Sequence, residues 1–335
     1  MNIGGEIRLG LASLMIDHTA YANVSQKLTQ RVQETIEGFP PCFELLIAPS
    51  RCGKTELLKV IAGKFPPETG IGRREIPLLV VEISSGMGPK DLPTAVIRAL
   101  GLPVPRGSNR AGELNTFMFI QLELAKVKVI LFDEASHLVD VGRKIPPRAA
   151  SDWFKAFSVS RNKIGIVLAG VPRLTALLKF NEQARNRSHK PLSLMPYRFD
   201  VRDERAAFAG CVQAFLNEFK QRGCTLNLGF DEFVRHSYAA SAGHIGLLSR
   251  FFIEVATLIK APCEITRQLC VEACNELNLP GDGSVKPFNE NKLSDIDLMH
   301  VLAAELDRYD LPLAPLSVAA ELAQVKVEAK HWATV

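Results

Sequence analysis

No stretch of this chain is apolar for the roughly 20 residues that a bilayer-spanning helix requires. The start, Met-Asn-Ile-Gly-Gly-Glu, has neither the basic opening nor the apolar stretch of a secretory leader. These absences predict a cytoplasmic protein with no membrane partner. A disulfide framework is missing too, because the seven cysteines are odd in number, widely scattered and suited to reduced thiols. Cys263, Cys270 and Cys274 follow no common zinc-ligand spacing and no histidine falls among them, so buried helical cysteines are expected there. There is no internal repeat and no low-complexity tract.

What is present suits a globular protein. A length of 335 residues with 47% hydrophobic content allows one main domain and a smaller one. The net charge of +4 hides an asymmetry: residues 141–200 hold twelve Lys and Arg against three acids, whereas residues 281–335 hold five basic residues against nine acidic ones. Such a distribution fits a polyanion site, protomers stacking with opposite charges in contact, or a solvated basic face.

Residues 45–60 read Leu-Leu-Ile-Ala-Pro-Ser-Arg-Cys-Gly-Lys-Thr-Glu-Leu-Leu-Lys-Val, an apolar strand, a Gly-Lys-Thr turn and a helical continuation. In such a loop backbone N–H groups and a helix N-terminus converge on nucleotide phosphates, a lysine reaches the outer two, and a hydroxyl binds magnesium. The candidate binding residues are Ala48, Pro49, Ser50, Arg51, Cys52, Gly53, Lys54, Thr55 and Glu56. Ala48 stands where the usual pattern has its first glycine, and alanine cannot take positive φ cheaply, so the loop entry is expected to be more restricted.

About 80 residues downstream, Lys128-Val129-Ile130-Leu131-Phe132-Asp133-Glu134 is an apolar run ending in adjacent carboxylates. An unbroken apolar run suits a strand buried on both faces. At its carboxyl end Asp133 would hold the magnesium with Thr55, and Glu134 would orient and activate the water that attacks a γ-phosphate.

Helical spacing is expected over residues 20–37, 56–64, 91–100 and 113–126, with strands over Pro77–Ile83, 128–134 and 164–169. This alternation predicts an α/β/α sandwich on a mostly parallel sheet, with ligands at the strand carboxyl ends. From about Asp203 the pattern turns helical, over 203–221, 231–241, 244–260 and 264–278, and reads as a small lid. The expected organisation is an N-terminal helical segment (1–40), a nucleotide-binding core (41–202), the lid (203–280) and an acidic tail (281–335) with short helices near 294–308 and 317–331. The tail suits either partner binding or packing on the lid.

This order of elements resembles the AAA+ ATPases and, more narrowly, the TniB and TnsC group of ATP-dependent regulators of DNA transposition. The resemblance rests on residues 48–55, Asp-Glu-Ala-Ser-His-Leu at 133–138, Val-Leu-Ala-Gly-Val-Pro at 167–172 and Asn-Glu-Gln-Ala-Arg-Asn-Arg at 181–187, and covers about residues 15–280. It implies binding of ATP and Mg²⁺ and oligomerisation with copies of itself as a ring or filament on double-stranded DNA. It also implies partnership with a transposase and a target-selection protein, with hydrolysis driving disassembly. An arginine from one protomer would complete its neighbour's site, and by position Arg185 or Arg187 would be that residue, a basic surface being the other reading.

Where many relatives carry a polar side chain at the tip of the 164–169 strand, this chain has Ala169 and Gly170, which predicts slow hydrolysis. Arg250 is a candidate nucleotide sensor, while His137 and His244 read as structurally satisfied histidines. For DNA phosphates the candidates are Lys90, in the loop after the second strand, and Arg143, Lys144 and Arg148, beyond the Asp-Glu strand. Loading a helicase, or a nucleotide-gated scaffold with little hydrolysis, are the alternative tasks.

Overall fold

A computed structural model describes residues 2–14, 19–70, 73–105, 110–140, 145–179, 185, 188–289 and 292–311. The chain divides into two compact units: residues 1–19, carrying helix α1 (Ile3–Ser13), group with residues 195–335, and residues 20–194 form the other.

The second of these is an α/β unit. Helix α2 (Thr19–Ile36) buries Val24, Leu28 and Val32, one residue per turn on a single stripe. Gly38, at φ +103°, ends it, and Pro40 and Pro41 prevent its resumption. The chain then runs β1 (Phe43–Ile47), α3 (Lys54–Lys64), β2 (Glu68–Gly70), β3 (Arg73–Glu75), β4 (Leu78–Glu82), α4 (Asp91–Ala99), α5 (Ala111–Leu124) and β5 (Val129–Asp133). It continues through a 3₁₀ turn over Ala135–Leu138, α6 (Pro147–Val159), β6 (Gly165–Gly170), a second 3₁₀ turn over Pro172–Thr175, α7 (Ala176–Lys179) and β7 (Leu192–Ser193). Pro147 opens α6, where its missing N–H costs no helix bond.

Five strands form one parallel sheet in the order β4-β5-β6-β1-β7. Because side chains alternate across a strand, each buried strand feeds two cores. On one face Leu45, Leu79, Val81, Ile130, Phe132 and Leu168 pack with residues of α4, α5 and α6. On the other, Leu46, Leu78, Leu131, Val167 and Ala169 pack with residues of α2 and α3. Phe132 is fully buried with Trp153, Phe154 and Phe157 around it, edge-on at 5.9, 5.1 and 5.9 Å. Such edge contacts contribute about 0.5–1.5 kcal/mol each beyond the buried area.

The strand register brings the loops of interest together. Ile47 pairs with Gly170 and Glu82 with Asp133, so the carboxyl ends of β1, β4, β5 and β6 finish along one edge of the sheet. Crevices outside such ends are where open α/β sheets bind ligands.

The other unit is mainly helical: α1, α8 (Arg202–Lys220), α9 (Phe230–Ser241), α10 (Ile245–Leu258), α11 (Arg267–Asn275) and α12 (Asp295–Asp307), with a two-stranded parallel ladder of β8 (Thr225–Leu226) and β9 (Glu264–Ile265). Its core is aromatic, built around Phe208, Phe215, Phe219, Phe233, Phe251, Phe252 and Phe288. Helix α1 seats against α10 through Gly4, where a Cβ would lie 2.2 Å from the Ala256 carbonyl oxygen and 2.4 Å from that of Ile259. Ser294 and Asp297 form a reciprocal capping box at the start of α12. Cys270 and Cys274 are buried in α11, whereas Cys263, expected in a helix, is exposed and outside one, because Pro262 interrupts the helical pattern there. Among the described residues no helix is long and apolar enough to cross a membrane, and no cluster of His, Cys, Asp and Glu could hold a metal.

Candidate functional site

The loop that leaves β1 begins at Ala48, whose N–H donates to the Gly170 carbonyl at the tip of β6, 3.0 Å away. Ala48 is fully buried and is not among the residues of positive φ, so a side chain here costs the backbone nothing. The left-handed conformations fall later, at Arg51 (φ 66°) and Gly53 (φ 85°), and Gly53 is the N-cap of α3. No side chain caps that helix start, which leaves the first-turn N–H groups of α3 directed to whatever sits before it. Pro49 is buried, Cys52 half-buried, and Ser50, Arg51, Gly53, Thr55 and Glu56 are exposed.

Lys54 is 5% exposed and turns back over its own loop, its amine donating to the carbonyl oxygens of Ala48 at 2.9 Å and Pro49 at 3.0 Å. An ammonium has three N–H donors, so one remains for a ligand. Burial pushes the Lys54 pKa below the usual lysine value, against the opposing pull of Glu134, Cys52 and Asp133. An added phosphate would reverse that shift.

The loop and the carboxylate strand meet directly. The Thr55 hydroxyl donates to Asp133 Oδ2 at 2.7 Å, across 78 residues of sequence. The other oxygen, Oδ1, accepts the Glu134 N–H at 2.9 Å. Glu134 is half-buried and holds φ at 53°, a left-handed conformation that a non-glycine residue adopts at some cost and that turns the chain away after the strand.

Sequence reasoning missed Ser136. Its hydroxyl, buried behind the acidic pair, accepts the Val171 N–H at 2.7 Å and so ties the end of β5 to the end of β6. It also explains the bare tip of β6, since a Cβ on Gly170 would lie 2.3 Å from Ser136 Oγ. The hydroxyl fills the space that a polar side chain at the tip would need. No local pattern marks this serine, because the N–H it accepts lies 35 residues away. Beside it, His137 Nδ1 lies 2.8 Å from Asp140 Oδ2, and Arg173 Nε pairs with Asp140 Oδ1 at 2.6 Å, so His137 is held structurally.

Of the remaining expected residues, Lys90 is exposed at the N-cap of α4, Arg148 is exposed in the first turn of α6, and Arg185 is exposed. Arg143, Lys144 and Arg187 lie outside the described residues, as do residues 317–331 of the expected tail helices. Arg250 is exposed on α10, and His244 is fully buried with Nδ1 facing the carbonyl oxygens of Ser241 and Ala242.

Comparison with known proteins bears on the family and the fold. The family model described as bacterial TniB protein matches residues 11–198. No curated protein matches. Among solved structures, the Cdc6p protein of Pyrobaculum aerophilum superposes with a TM-score of 0.57 at 14% identity, over 82% of this chain and 71% of that one. The Aeropyrum pernix ORC1 protein in complex with DNA gives 0.56 at 14% identity, over 80% and 69%. The ORC2 protein of the same organism, in ADPNP-ADP complexes, gives 0.52 at 12% identity, over 76% of this chain. The chain spans 66% of the length of that ORC2 chain. At such identities the likeness is one of fold: a parallel α/β/α core with a helical C-terminal unit.

Proposed function

The chain belongs to the TniB family, and from that premise we propose that it is an ATP-binding, DNA-bound AAA+ regulator of DNA transposition that hydrolyses its nucleotide. The observation that carries the nucleotide reading is the Thr55 to Asp133 hydrogen bond, with the Lys54 amine folded over the same loop. Hydroxyl and carboxylate oxygens are the donors magnesium prefers, so Thr55 and Asp133 fit that ion. Bound there, the ion would neutralise charge on the phosphate oxygens.

The protein's own residues have distinct tasks in this reading. Gly53 and the start of α3 present N–H groups to phosphate, and Ala48 to Cys52, with Glu56, form the surrounding wall. Lys54 gives its remaining N–H to a phosphate oxygen. Asp133 keeps the Thr55 hydroxyl in place and receives the Glu134 N–H, which fixes where the Glu134 carboxylate begins. Glu134 then takes the proton of the attacking water. Arg185 or Arg187, from a neighbouring copy, stabilises charge on the γ-phosphate.

Lys90 and Arg148, with Arg143 and Lys144, are proposed to contact double-stranded DNA through its phosphates, which positions the protein without reading sequence. The solved ORC1 neighbour is a DNA complex, which is compatible with this. Self-assembly as a ring or filament, engagement of a transposase and a target-selection protein, and disassembly on hydrolysis complete the proposal.

One observation favours a second reading. With Ser136 filling the tip of β6, no side chain from that strand can position water, which suits a nucleotide-gated scaffold of slow turnover. Electron microscopy with duplex DNA, with and without a non-hydrolysable ATP analogue, tests assembly; single particles under both conditions would reject it. Glu134→Gln separates the two readings, because turnover unchanged by that substitution leaves only the scaffold.

A further inference from the structure

In the helical unit β8 and β9 run parallel, with Thr225 opposite Glu264 and Leu226 opposite Ile265. The alignment extends one step further back. The Thr225 N–H donates to the Cys263 carbonyl at 3.1 Å, and a Cβ on Gly223 would meet Pro262 Cβ at 3.3 Å, so Cys224 and Cys263 occupy facing positions between those two contacts. The Cys224 thiol lies within electrostatic reach of the Cys263 thiol. Neighbouring strands lie about 4.7–4.9 Å apart, inside the span of about 4.4–6.8 Å between Cα atoms that a disulfide bridges. The two differ in access: Cys263 is exposed, and Cys224 is 2% exposed.

We infer that Cys224 and Cys263 form a vicinal-strand dithiol that a small-molecule disulfide converts to an intramolecular disulfide. The exposed Cys263 thiolate attacks one sulfur of the incoming disulfide, forming a mixed disulfide and releasing one thiolate. Cys224, its proton lost to solvent, then attacks the Cys263 sulfur and expels the second thiolate, which is protonated. Two protein thiols are oxidised and one disulfide is reduced to two thiols, so electrons and atoms balance. The bridge closes a loop that contains α9 and α10 and holds their outer ends together. Partial desolvation, with the Cys224 thiol beside it, raises the pKa of the exposed Cys263 thiol above the ordinary cysteine value, so the first step quickens as pH rises and thiolate accumulates. This dithiol belongs to the helical unit and is independent of the functional reading above.

The test is titration of the full-length protein with oxidised glutathione, followed by alkylation, intact mass and peptide mapping. Expected are the loss of two alkylatable thiols from the seven present, a linked Cys224 and Cys263 peptide, and full reversal by dithiothreitol. Cys224→Ser should instead retain glutathione on Cys263, because the resolving thiol is gone. A wild-type protein that keeps the glutathione adduct on Cys263 as Cys224→Ser does, that links Cys263 to a second copy, or that leaves Cys263 alkylatable throughout overturns the inference. The mapping is done on the wild-type chain, so its outcome does not depend on either variant folding.

Discussion

Replacing Gly170 with alanine should destabilise the α/β unit far more than one methyl group ordinarily would. Gly170 has no positive φ to defend, so the effect is steric. A Cβ there would sit 2.3 Å from Ser136 Oγ, 3.0 Å from Ser136 N and 3.2 Å from Leu174 Cδ2. The hydroxyl can swing away, but it then abandons the buried Val171 N–H that it accepts at 2.7 Å. Overpacking of this kind costs about 1–3 kcal/mol, and leaving a buried donor unsatisfied costs about 1–3 kcal/mol more. The expected loss is therefore about 2–6 kcal/mol in all. Ser136→Ala should cost about 1–3 kcal/mol alone through the same unsatisfied donor. In that background Gly170→Ala should be cheaper by at least about 1 kcal/mol, since both lesions share one hydrogen bond. Urea unfolding followed by Trp153 fluorescence measures this, because Trp153 packs edge-on against Phe132 in the core beside the sheet. Trp332, which lies outside the described residues, is replaced by Phe so that Trp153 emits alone. An unchanged midpoint for Gly170→Ala, or fully additive costs in the double variant, would refute the steric reasoning.

Three further outcomes are expected. Because burial lowers the Lys54 pKa in the folded protein, the unfolded chain binds more protons between that value and the ordinary one near 10.4. The ligand-free protein should therefore gain stability as pH rises through this window, while ATP binding takes up a proton and weakens. Calorimetry in buffers of different ionisation enthalpy detects that uptake, and its absence throughout the window contradicts the assignment. Glu44, fully buried on β1, pairs with Arg31 and with His189 Nδ1 at 2.6 Å, so Glu44→Ala should cost about 2–4 kcal/mol in a denaturation curve, the partly exposed partners softening the loss. DNA affinity should fall steeply with salt, and Lys90→Ala should reduce the log-log slope by about 1 without changing sequence preference; a flat salt response removes the DNA reading.

Much of the α/β unit was legible because its signals are local. The apolar run 128–134 became Val129–Asp133, and the helical spacing of 91–100 became Asp91–Ala99, since strand and helix periods are written in neighbouring residues. The helices from 203 onward appeared within a residue or two of expectation except at α11, which is shorter at both ends. The Gly-Lys-Thr turn that opens α3 was legible for the same reason. The features that escaped depend on residues distant in sequence. Nothing near residues 3–13 announces that Gly4 will press on Ala256, and a two-residue strand such as Thr225–Leu226 is too short to show a period. The polar hairpin of Glu68–Gly70 and Arg73–Glu75 lacks the apolar alternation that marks a strand. The role of Ser136 is invisible until β5 and β6 lie side by side, because its partner is 35 residues away.

In the proposed reading, a triphosphate and its magnesium are held jointly by the Gly53-Lys54-Thr55 turn and by Asp133. Equilibrium binding of a fluorescent ATP analogue, with and without Mg²⁺, to the wild-type protein and to Thr55→Val is its most direct test. Magnesium should strengthen binding to the wild-type protein by tenfold or more, about 1.4 kcal/mol, and should do little for the variant, which keeps the loop but lacks the hydroxyl. Equal enhancement in both proteins, or none in either, would contradict it.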